Sequence, residues 1–375
     1  MKIFFYILLL STILFSQEIQ TNDNRSISLK VHTLFWNTNW NKHTINYDEL
    51  LSGGPSRDGI PPIDKAKFVS INQAKSWLKD TEPLIFVNIN GKTKAYPLQI
   101  LIWHEIVNDT LANKNITITF CPLCNASIVF NRNINGKTYD FGTSGLLRNS
   151  DLVMYDRQSE SLWQQFTGNA IVGDMVNTKL QQIPSSIVSF KDIYTNFKDT
   201  QILSKDTGHN RDYGNNPYVG YDDINQSPFM LKQKVDKRLA PMRRVATVSI
   251  NNKDKAYSYT DVKKEKVIND SFENTNLTLF YTKGVNSALD KRSISNSKDI
   301  GTVVLYNSFL DGKVLDFYYD DGFYDKQTKS KWNIFGTAVE GKLKGKSLTK
   351  IEYGSHFWFA WVVFKPNTII YKKNF

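Results

Sequence analysis

The stretch "VNINGKTKAY" at residues 87–96 returns as "VSINNKDKAY" at residues 248–257, an offset of 161 residues (248 − 87 = 161). In the first copy, two short runs rich in apolar residues flank Asn90–Gly91, which predicts a β-hairpin closed by a mirror-type turn. A stretch that recurs at a fixed distance indicates a repeated structural unit. These two segments therefore set the expected organisation of the whole chain.

The repetition continues along the chain in the same order. The offset of 161 also relates "IVNDT" (106–110) to "VINDS" (267–271), and "NITIT" (115–119) to "NLTLF" (276–280). Later pairs are "NGKTYDF" (135–141) with "DGKVLDF" (311–317), "YDRQSESLW" (155–163) with "YDKQTKSKW" (324–332), and "GNAIVG" (168–173) with "GTAVEG" (336–341). The preserved order predicts an internal duplication, with a first repeat at residues 81–205 and a second, degenerate repeat at residues 242–375.

Each repeat reads as a mixture of strands and short helices. Residues 98–107 carry apolar side chains at helical spacing, residues 115–120 read as a strand, and Asn135–Gly136 marks another hairpin. We expect an α+β fold of mostly antiparallel strands, with a pseudo-twofold relation between the repeats. Residues 206–241 are predicted to form a linker or long loop, and residues 17–80 an N-terminal segment with a Gly/Pro-rich loop.

The N-terminal residues indicate where the protein is located, and the net charge of the chain bears on its possible partners. The chain starts with one lysine and an apolar run at residues 3–10, which predicts a secretory signal over residues 1–16 and a periplasmic or secreted protein. No later segment reaches membrane-spanning length, so no span is expected in the mature chain. The 47 Lys+Arg residues exceed the 36 Asp+Glu residues but are scattered, and no nucleic-acid partner is expected.

Comparison of the two repeats separates shared residues from unshared ones. Tyr155, Asp156, Gln158 and Trp163 recur in the second repeat, which favours a structural role in which the aspartate caps a turn and the tryptophan fills the core. The polar residues found only in the first repeat are candidates for chemistry. The catalytic candidates are His104, Glu105, Arg148 and Asp151.

The chain has two cysteines, Cys121 and Cys124, and both belong to the first repeat only. One hypothesis is a metal site of these two thiolates with His104 as third ligand, a donor set that suits zinc or copper(I). It would serve metal binding or metal-dependent chemistry on an unknown small molecule, and whether the protein is an enzyme stays open.

Two other hypotheses remain for the cysteine pair. In a thiol–disulfide redox protein the pair would cycle between thiols and disulfide, although the strand-like sequence after Cys124 argues against a thioredoxin fold. In a non-catalytic binding module the pair would form a structural disulfide beside an exposed cleft. That cleft would be lined by Trp103, Trp163 and Trp358.

Several long motifs in the chain are similar to those of one protein family. They are "GGPSRDGIPPID", "WHEIVND", "FCPLCNASIVF", "FGTSGLLRNSDLVMYDRQSESLWQQFTG" and "NPYVGYD". Together they resemble a bacterial and archaeal family known as domain of unknown function 3179, from about residue 51 onward. The motifs include His104, the two cysteines and the 148–151 segment, but the resemblance implies no activity.

Overall fold

The computed structural model describes residues 18–373, so the predicted signal of residues 1–16 lies outside the described part. The chain is 12% helical and 39% strand, and the strands are mostly antiparallel. The predicted α+β class with short helices is therefore confirmed. Within the described residues, no helix is both long and apolar enough to cross a membrane.

The elements fall into an N-terminal segment followed by two longer halves. The N-terminal segment contains α1 (Ile27–His32), a 3-10 turn (Tyr47–Glu49), β1 (Leu50–Ser52), β2 (Phe68–Val69) and α2 (Ile71–Ala74). The first half contains β3 (Pro83–Ile89), β4 (Lys92–Pro97), α3 (Leu98–His104), β5 (Ile106–Leu111), β6 (Lys114–Cys121), β7 (Ala126–Asn131), β8 (Asn133–Ile134), β9 (Lys137–Thr138), β10 (Phe141–Arg148), β11 (Asp151–Asp156), β12 (Leu162–Gln164), β13 (Ala170–Val172), β14 (Gln182–Ile183), β15 (Ser185–Ser189), α4 (Phe190–Asn196) and β16 (Gln201–Leu203).

After a segment without helices or strands, the second half begins. It contains β17 (Arg244–Ile250), β18 (Lys253–Ser258), α5 (Tyr259–Glu265), β19 (Val267–Phe272), β20 (Thr275–Thr282), a 3-10 turn (Ile294–Asn296), β21 (Thr302–Asn307), β22 (Phe309–Leu310), β23 (Lys313–Val314), β24 (Phe317–Tyr319), β25 (Phe323–Asp325), β26 (Lys331–Trp332), β27 (Ala338–Glu340), β28 (Thr349–Lys350), β29 (Tyr353–Phe357), α6 (Trp358–Val362) and β30 (Ile369–Ile370).

The sheets of the two halves have the same strand orders. The first half has the orders β15-β3-β4-β16, β14-β7-β6-β5 and β10-β11-β12-β13, with β2 and β1 added at the edges of the first and third sheets. The second half has β29-β17-β18-β30, β28-β21-β20-β19 and β24-β25-β26-β27. Even the two parallel pairings correspond, because β4 pairs with β16 and β18 pairs with β30 in parallel.

The predicted hairpins are confirmed by their turn geometry. Asn90 and Gly91 join β3 to β4 with positive φ angles of 51° and 79°, and Asn135 and Gly136 join β8 to β9 with 51° and 83°. Positive φ at both central residues is the signature of the mirror turn that suits the twist of paired strands. The strand predicted over residues 115–120 is also confirmed, as β6.

The helix predicted over residues 98–107 is shorter than expected. It ends at His104, because Glu105 adopts the left-handed conformation with φ 58°, and the chain continues as β5 from Ile106. Apolar residues at positions 106 and 107 extend the helical pattern in the sequence, but their side chains are buried in a sheet. Short apolar runs fit a buried strand as well as a buried helix.

The largest apolar core contains side chains from both halves. The two cysteines and Phe120 of the first half share it with Phe357 and Trp358 of the second. The segment between the halves is anchored to the second half through Asp222, whose buried carboxylate accepts hydrogen bonds from Arg244 and Ser287 at 2.8 and 2.6 Å. The domain limits predicted from the sequence remain predictions.

Candidate functional site

The two cysteines lie at the turn between β6 and β7. Cys121 pairs with Ala126 at the end of the hairpin, and the Asn125 amide donates to the Pro122 carbonyl at 3.1 Å. Asn125 has a φ of 49°, a left-handed conformation that asparagine tolerates better than most residues. The turn holds the two sulfurs 3.7 Å apart as free, buried thiols.

Asp151 reaches the cysteines from a second tight turn. It pairs with Arg148 at the end of β10 and β11, and the two residues between them, Asn149 and Ser150, have positive φ angles of 53° and 68°. A serine in this conformation is unusual and stores strain, which tends to occur at functional sites. The turn places the Ser150 carbonyl 3.9 and 3.5 Å from the two sulfurs.

Cys121, Cys124 and Asp151 form one compact group. One possible ligand atom from each residue lies within 4.8 Å of the others, and all three residues are buried. Within the described residues this is the one group of three or more His, Cys, Asp or Glu side chains with such spacing. The sequence predicted the two cysteines as metal ligands and Asp151 as a catalytic candidate, and the fold places all three in one group.

The Asp151 carboxylate is held on one side only. Its Oδ2 accepts hydrogen bonds from the Gln164 side chain and from the Phe166 amide, the latter at 2.9 Å. Its Oδ1 is buried and has no nitrogen or oxygen partner among residues 18–373, and the thiols of Cys121 and Cys124 are the hydrogen-bond donors beside the carboxylate. A thiol is a weak donor, so this buried oxygen is only weakly satisfied and a cation would stabilise it.

Glu105 adds a second buried carboxyl to the surroundings. Its backbone carbonyl accepts a hydrogen bond from the Phe120 amide at 2.8 Å, beside the cysteine end of β6. Burial raises the pKa of Glu105 to about 8, with a further contribution from the charge of Asp151. Glu105 lies outside the compact group, but its charge in turn raises the pKa of Cys121.

The cluster is rich in acidic groups and poor in positive charge. Burial raises the pKa of Asp151 to about 7 and raises the pKa of both thiols. No salt bridge within residues 18–373 joins Asp151 or Glu105 to a basic side chain, although other buried carboxylates, such as Asp222, have such partners. Ionisation of these groups would leave buried negative charge without compensation.

The structure does not bring His104 to the thiols. Its Nδ1 is 2.6 Å from the Pro61 carbonyl and its Nε2 is 2.6 Å from the Tyr213 hydroxyl. Burial is the main reason that the pKa of His104 falls to about 4. Both ring nitrogens are thus engaged in hydrogen bonds, and His104 would act as the predicted third metal ligand only after losing its bond to Tyr213.

Arg148 also lies outside the compact group, although it is linked to it through Gln164. Its guanidinium pairs with Glu49 at 2.7 Å and donates to the Gln164 side-chain oxygen at 3.3 Å. The amide of the same glutamine donates to Asp151. Arg148 therefore supports the orientation of the Asp151 carboxylate through a neighbour.

The sequence did not reveal the residues that cover and orient the cluster. Tyr218 and Tyr221, in the segment between the halves, lie near the cysteines, whose charges contribute to raising the pKa of both phenols. The motif "NPYVGYD", with two tyrosines three residues apart, was the available signal. No sequence pattern marked Gln164. Its side chain donates a hydrogen bond to Asp151, which lies thirteen residues earlier in the sequence.

The shared residues have the structural role that the repeats predicted. Asp156 accepts hydrogen bonds from the Ser159 amide at 2.6 Å and the Trp163 indole at 2.9 Å. Asp325 makes the same contacts with the Thr328 amide at 2.6 Å and the Trp332 indole at 3.0 Å. Each aspartate caps a turn and holds a buried tryptophan in place.

The exposed cleft expected for the binding-module hypothesis does not form from the named tryptophans. Trp163 and Trp358 are fully buried, and Trp103 is half-buried and donates to the Asn215 carbonyl at 3.1 Å. The observation that would have favoured a binding module is therefore absent at these three residues, because large aromatic side chains gain most free energy in the core.

Comparison with known proteins gives a family and no activity. The profile of a family described as "Protein of unknown function (DUF3179)" matches residues 57–368, which is most of the chain. No curated protein and no solved structure matches the chain significantly.

Proposed function

The chain belongs to the DUF3179 family of proteins of unknown function, and we propose that it binds a transition metal ion through Cys121, Cys124 and Asp151. The observation that carries this proposal is the buried group of three ligand atoms, all within 4.8 Å of one another. Two sulfurs and one carboxylate oxygen form a donor set that suits zinc, and the two thiolates also suit copper(I).

The buried, acidic surroundings of Cys121, Cys124 and Asp151 favour a bound cation. A metal ion would compensate the charge of the thiolates and of Asp151, and it would provide a strong partner for the weakly satisfied Asp151 oxygen. The turns that present these residues contain three left-handed, non-glycine residues, Asn125, Asn149 and Ser150. Such conformations persist where the surrounding structure fixes them, as in a preformed site.

The number of ligands bears on what the metal does. Three protein ligands leave a fourth position for a water molecule or small anion, as in catalytic zinc sites. Metal-dependent chemistry on a small molecule and metal binding without catalysis both fit this donor set. Glu105 would act from outside the coordination sphere, because its charge reaches Cys121 while its carboxyl lies outside the group.

Metal content measured after purification without added chelator tests the proposal. We expect about one zinc or copper ion per chain in the unmodified protein and strongly reduced metal in Cys121→Ser, Cys124→Ser and Asp151→Asn. Asp174→Asn is the matched control, because that aspartate is 57% exposed and pairs with Lys42 far from the thiols. Equal metal content in all five proteins would overturn the proposal.

A thiol–disulfide function has weaker support. The two free sulfurs are neighbours, as a redox pair requires. The thiolate is the reactive form, however, and burial raises the pKa of both thiols and so disfavours it. A metal ion bound to both sulfurs would reverse this balance by stabilising the thiolates.

We further propose that the two halves derive from one duplicated unit, and that the first half alone acquired the metal site. The matching strand orders and the matching contacts of Asp156 and Asp325 support this proposal. The register of β5 with β6 matches that of β19 with β20 at an offset of 161 (267 − 106 = 161). Export to the periplasm or the medium, and the pseudo-twofold relation, remain predictions.

A further inference from the structure

A second candidate site lies between the two halves. A cleft of about 810 Å³ separates β7 and β14 of the first half from β17 and β29 of the second. Its volume falls in the range of small-molecule sites, which often form where two structural units meet. The cysteine cluster lies outside this cleft, since neither cysteine nor Asp151 is part of its lining.

His356 is the most unusual residue of the cleft wall. It is 2% exposed, and its ring lies between Phe166, with ring centres 4.6 Å apart, and Trp361, which is stacked nearly parallel to it at 5.7 Å. Its Nε2 is 3.0 Å from the Thr247 hydroxyl. Its Nδ1 is buried and has no hydrogen-bond partner in the described part of the chain.

The orientation of the His356 ring is built into the strand. A Cβ atom at Gly354, two residues earlier on β29, would lie 1.9 Å from His356 Nε2. Only glycine at position 354 therefore leaves room for the imidazole in this position. Strand β15 of the first half corresponds to β29 of the second half and contains no histidine. The buried imidazole beside a glycine is therefore found on β29 and not on β15.

The chemistry of the free nitrogen points to a hydroxyl group. Burial lowers the pKa of His356, so the ring is neutral at physiological pH and has one donor and one acceptor nitrogen. Since Nε2 interacts with Thr247, Nδ1 is left to accept from or donate to a ligand. A hydroxyl group satisfies either tautomer, because it can donate and accept.

The rest of the lining is polar but largely uncharged. Among its polar residues, amide and hydroxyl side chains outnumber charged ones, with Asn169, Gln181, Gln182, Ser249, Asn251 and Asn252 among them. The charged side chains are compensated within the protein. Arg148 pairs with Glu49 at 2.7 Å and Lys365 with Asp254 at 3.3 Å. Burial raises the pKa of Glu352, and the charge of Lys179 partly opposes this rise.

From this lining we propose that the cleft binds a short neutral saccharide, with a ligand hydroxyl bonded to His356 Nδ1. Amide and hydroxyl side chains can match many ligand hydroxyls at once, and Phe364, the partly exposed aromatic residue of the lining, supplies apolar contact for the face of a sugar ring. The compensated charges favour an uncharged ligand over an acidic one. None of the lining residues is a proposed metal ligand, although the Phe166 amide donates to Asp151 and Arg148 reaches it through Gln164.

The test uses a panel of trisaccharides with the full-length mature protein. Calorimetry with maltotriose, cellotriose, mannotriose and triacetylchitotriose is expected to show binding of at least one of them. Trigalacturonate and trialanine, as acidic and peptide probes of similar size, are expected to bind at least tenfold more weakly. Ligand addition is also expected to shift the imidazole ¹⁵N signals of His356.

The variants make the test specific for the cleft. We expect His356→Ala to weaken binding at least tenfold, and Asn169→Ala, on the cleft surface, to weaken it even if the histidine variant folds poorly. His209→Ala is the control, because that histidine is exposed and lies outside the cleft lining. Absence of binding by all four neutral sugars, stronger binding of the acidic or peptide probe, or unchanged affinity in both cleft variants would overturn the proposal. Cys121→Ser should retain sugar binding, which separates this outcome from that of the metal proposal.

Discussion

The carbonyl of Glu105 accepts a hydrogen bond from the amide of Phe120 at 2.8 Å, which joins the end of helix α3 to the residue that precedes Cys121. In the second half the carbonyl of Lys266 accepts from the amide of Tyr281 at 3.0 Å, the corresponding contact. Glu105 in the first half and Lys266 in the second half therefore occupy equivalent backbone positions. The first half places a buried carboxyl there, beside the cysteines, and the second half a lysine.

Replacement of Glu105 by glutamine should weaken metal binding about 10–100-fold, the usual effect of removing a group that supports metal ligands from outside the coordination sphere. The variant keeps the side-chain shape but cannot ionise, whereas the carboxyl of Glu105, with a pKa of about 8 in the metal-free chain, would lose its proton beside a bound cation and attract it. Competition with a chelator of known affinity measures the effect. Glu273→Gln in the second half is the control, and an affinity equal to that of the unmodified protein would show that Glu105 has no such role.

Replacement of His104 by glutamine should leave the metal content unchanged and lower stability. His104 makes two hydrogen bonds at 2.6 Å, to Pro61 and Tyr213, and loss of a buried hydrogen bond costs about 1–3 kcal/mol. Urea unfolding and metal analysis on the same preparation separate the two effects. Loss of metal without loss of stability would show that His104 is a ligand after all.

Replacement of Asp156 or Asp325 by asparagine should destabilise the protein to a similar extent, by about 1–3 kcal/mol each. Each carboxylate accepts from a turn amide and from a buried indole, and the distances agree within 0.1 Å between the halves (2.6 and 2.9 Å against 2.6 and 3.0 Å). Metal content should stay unchanged in both variants. A large difference in stability between them, or metal loss in Asp156→Asn, would contradict the structural role.

Much of the fold followed from the sequence, because turn residues and strand patterns are local signals. The Asn90–Gly91 and Asn135–Gly136 hairpins, strand β6 and the antiparallel character were all predicted from short patterns. The end of α3 was not, since Glu105 gives no composition signal for a left-handed residue. Asparagine or glycine is the usual marker for that conformation.

The candidate site followed from the sequence only in part. Comparison of the repeats identified Cys121, Cys124, Glu105 and Asp151, because each lacks an equivalent in the second half. It also selected His104, whose neighbour Glu105 is the residue that lies beside the cysteines. His104 is the last residue of α3, and Glu105 follows it in the left-handed conformation. The sequence did not show where this helix ends, so it could not separate the surroundings of these two side chains. The position of the His356 ring depends on Gly354, Trp361 and Phe166. Phe166 is distant in sequence, so a local sequence pattern could not predict this arrangement.

The buried imidazole of His356 should make stability depend on pH. Burial lowers its pKa from 6.5 to about 3 in the folded state, so between these values the unfolded chain binds a proton that the native state does not. The contribution of His356 to stability should therefore be fully present above pH 6.5 and fall as the pH decreases, by up to about 1.4 kcal/mol per pH unit. Urea unfolding between pH 7 and pH 4 should show a weaker pH dependence for His356→Gln than for the unmodified protein. Equal slopes for these two proteins and for the exposed control His209→Gln would contradict the prediction.

X-ray absorption at the metal edge tests the central claim most directly, because it counts the ligand atoms around the bound ion. We predict two sulfur atoms at about 2.3 Å and oxygen ligands at about 2.0–2.2 Å, without the scattering pattern of an imidazole. Cys121→Ser or Cys124→Ser should reduce the sulfur count or abolish metal binding. A spectrum of the unmodified protein with only nitrogen and oxygen around the metal would contradict the account.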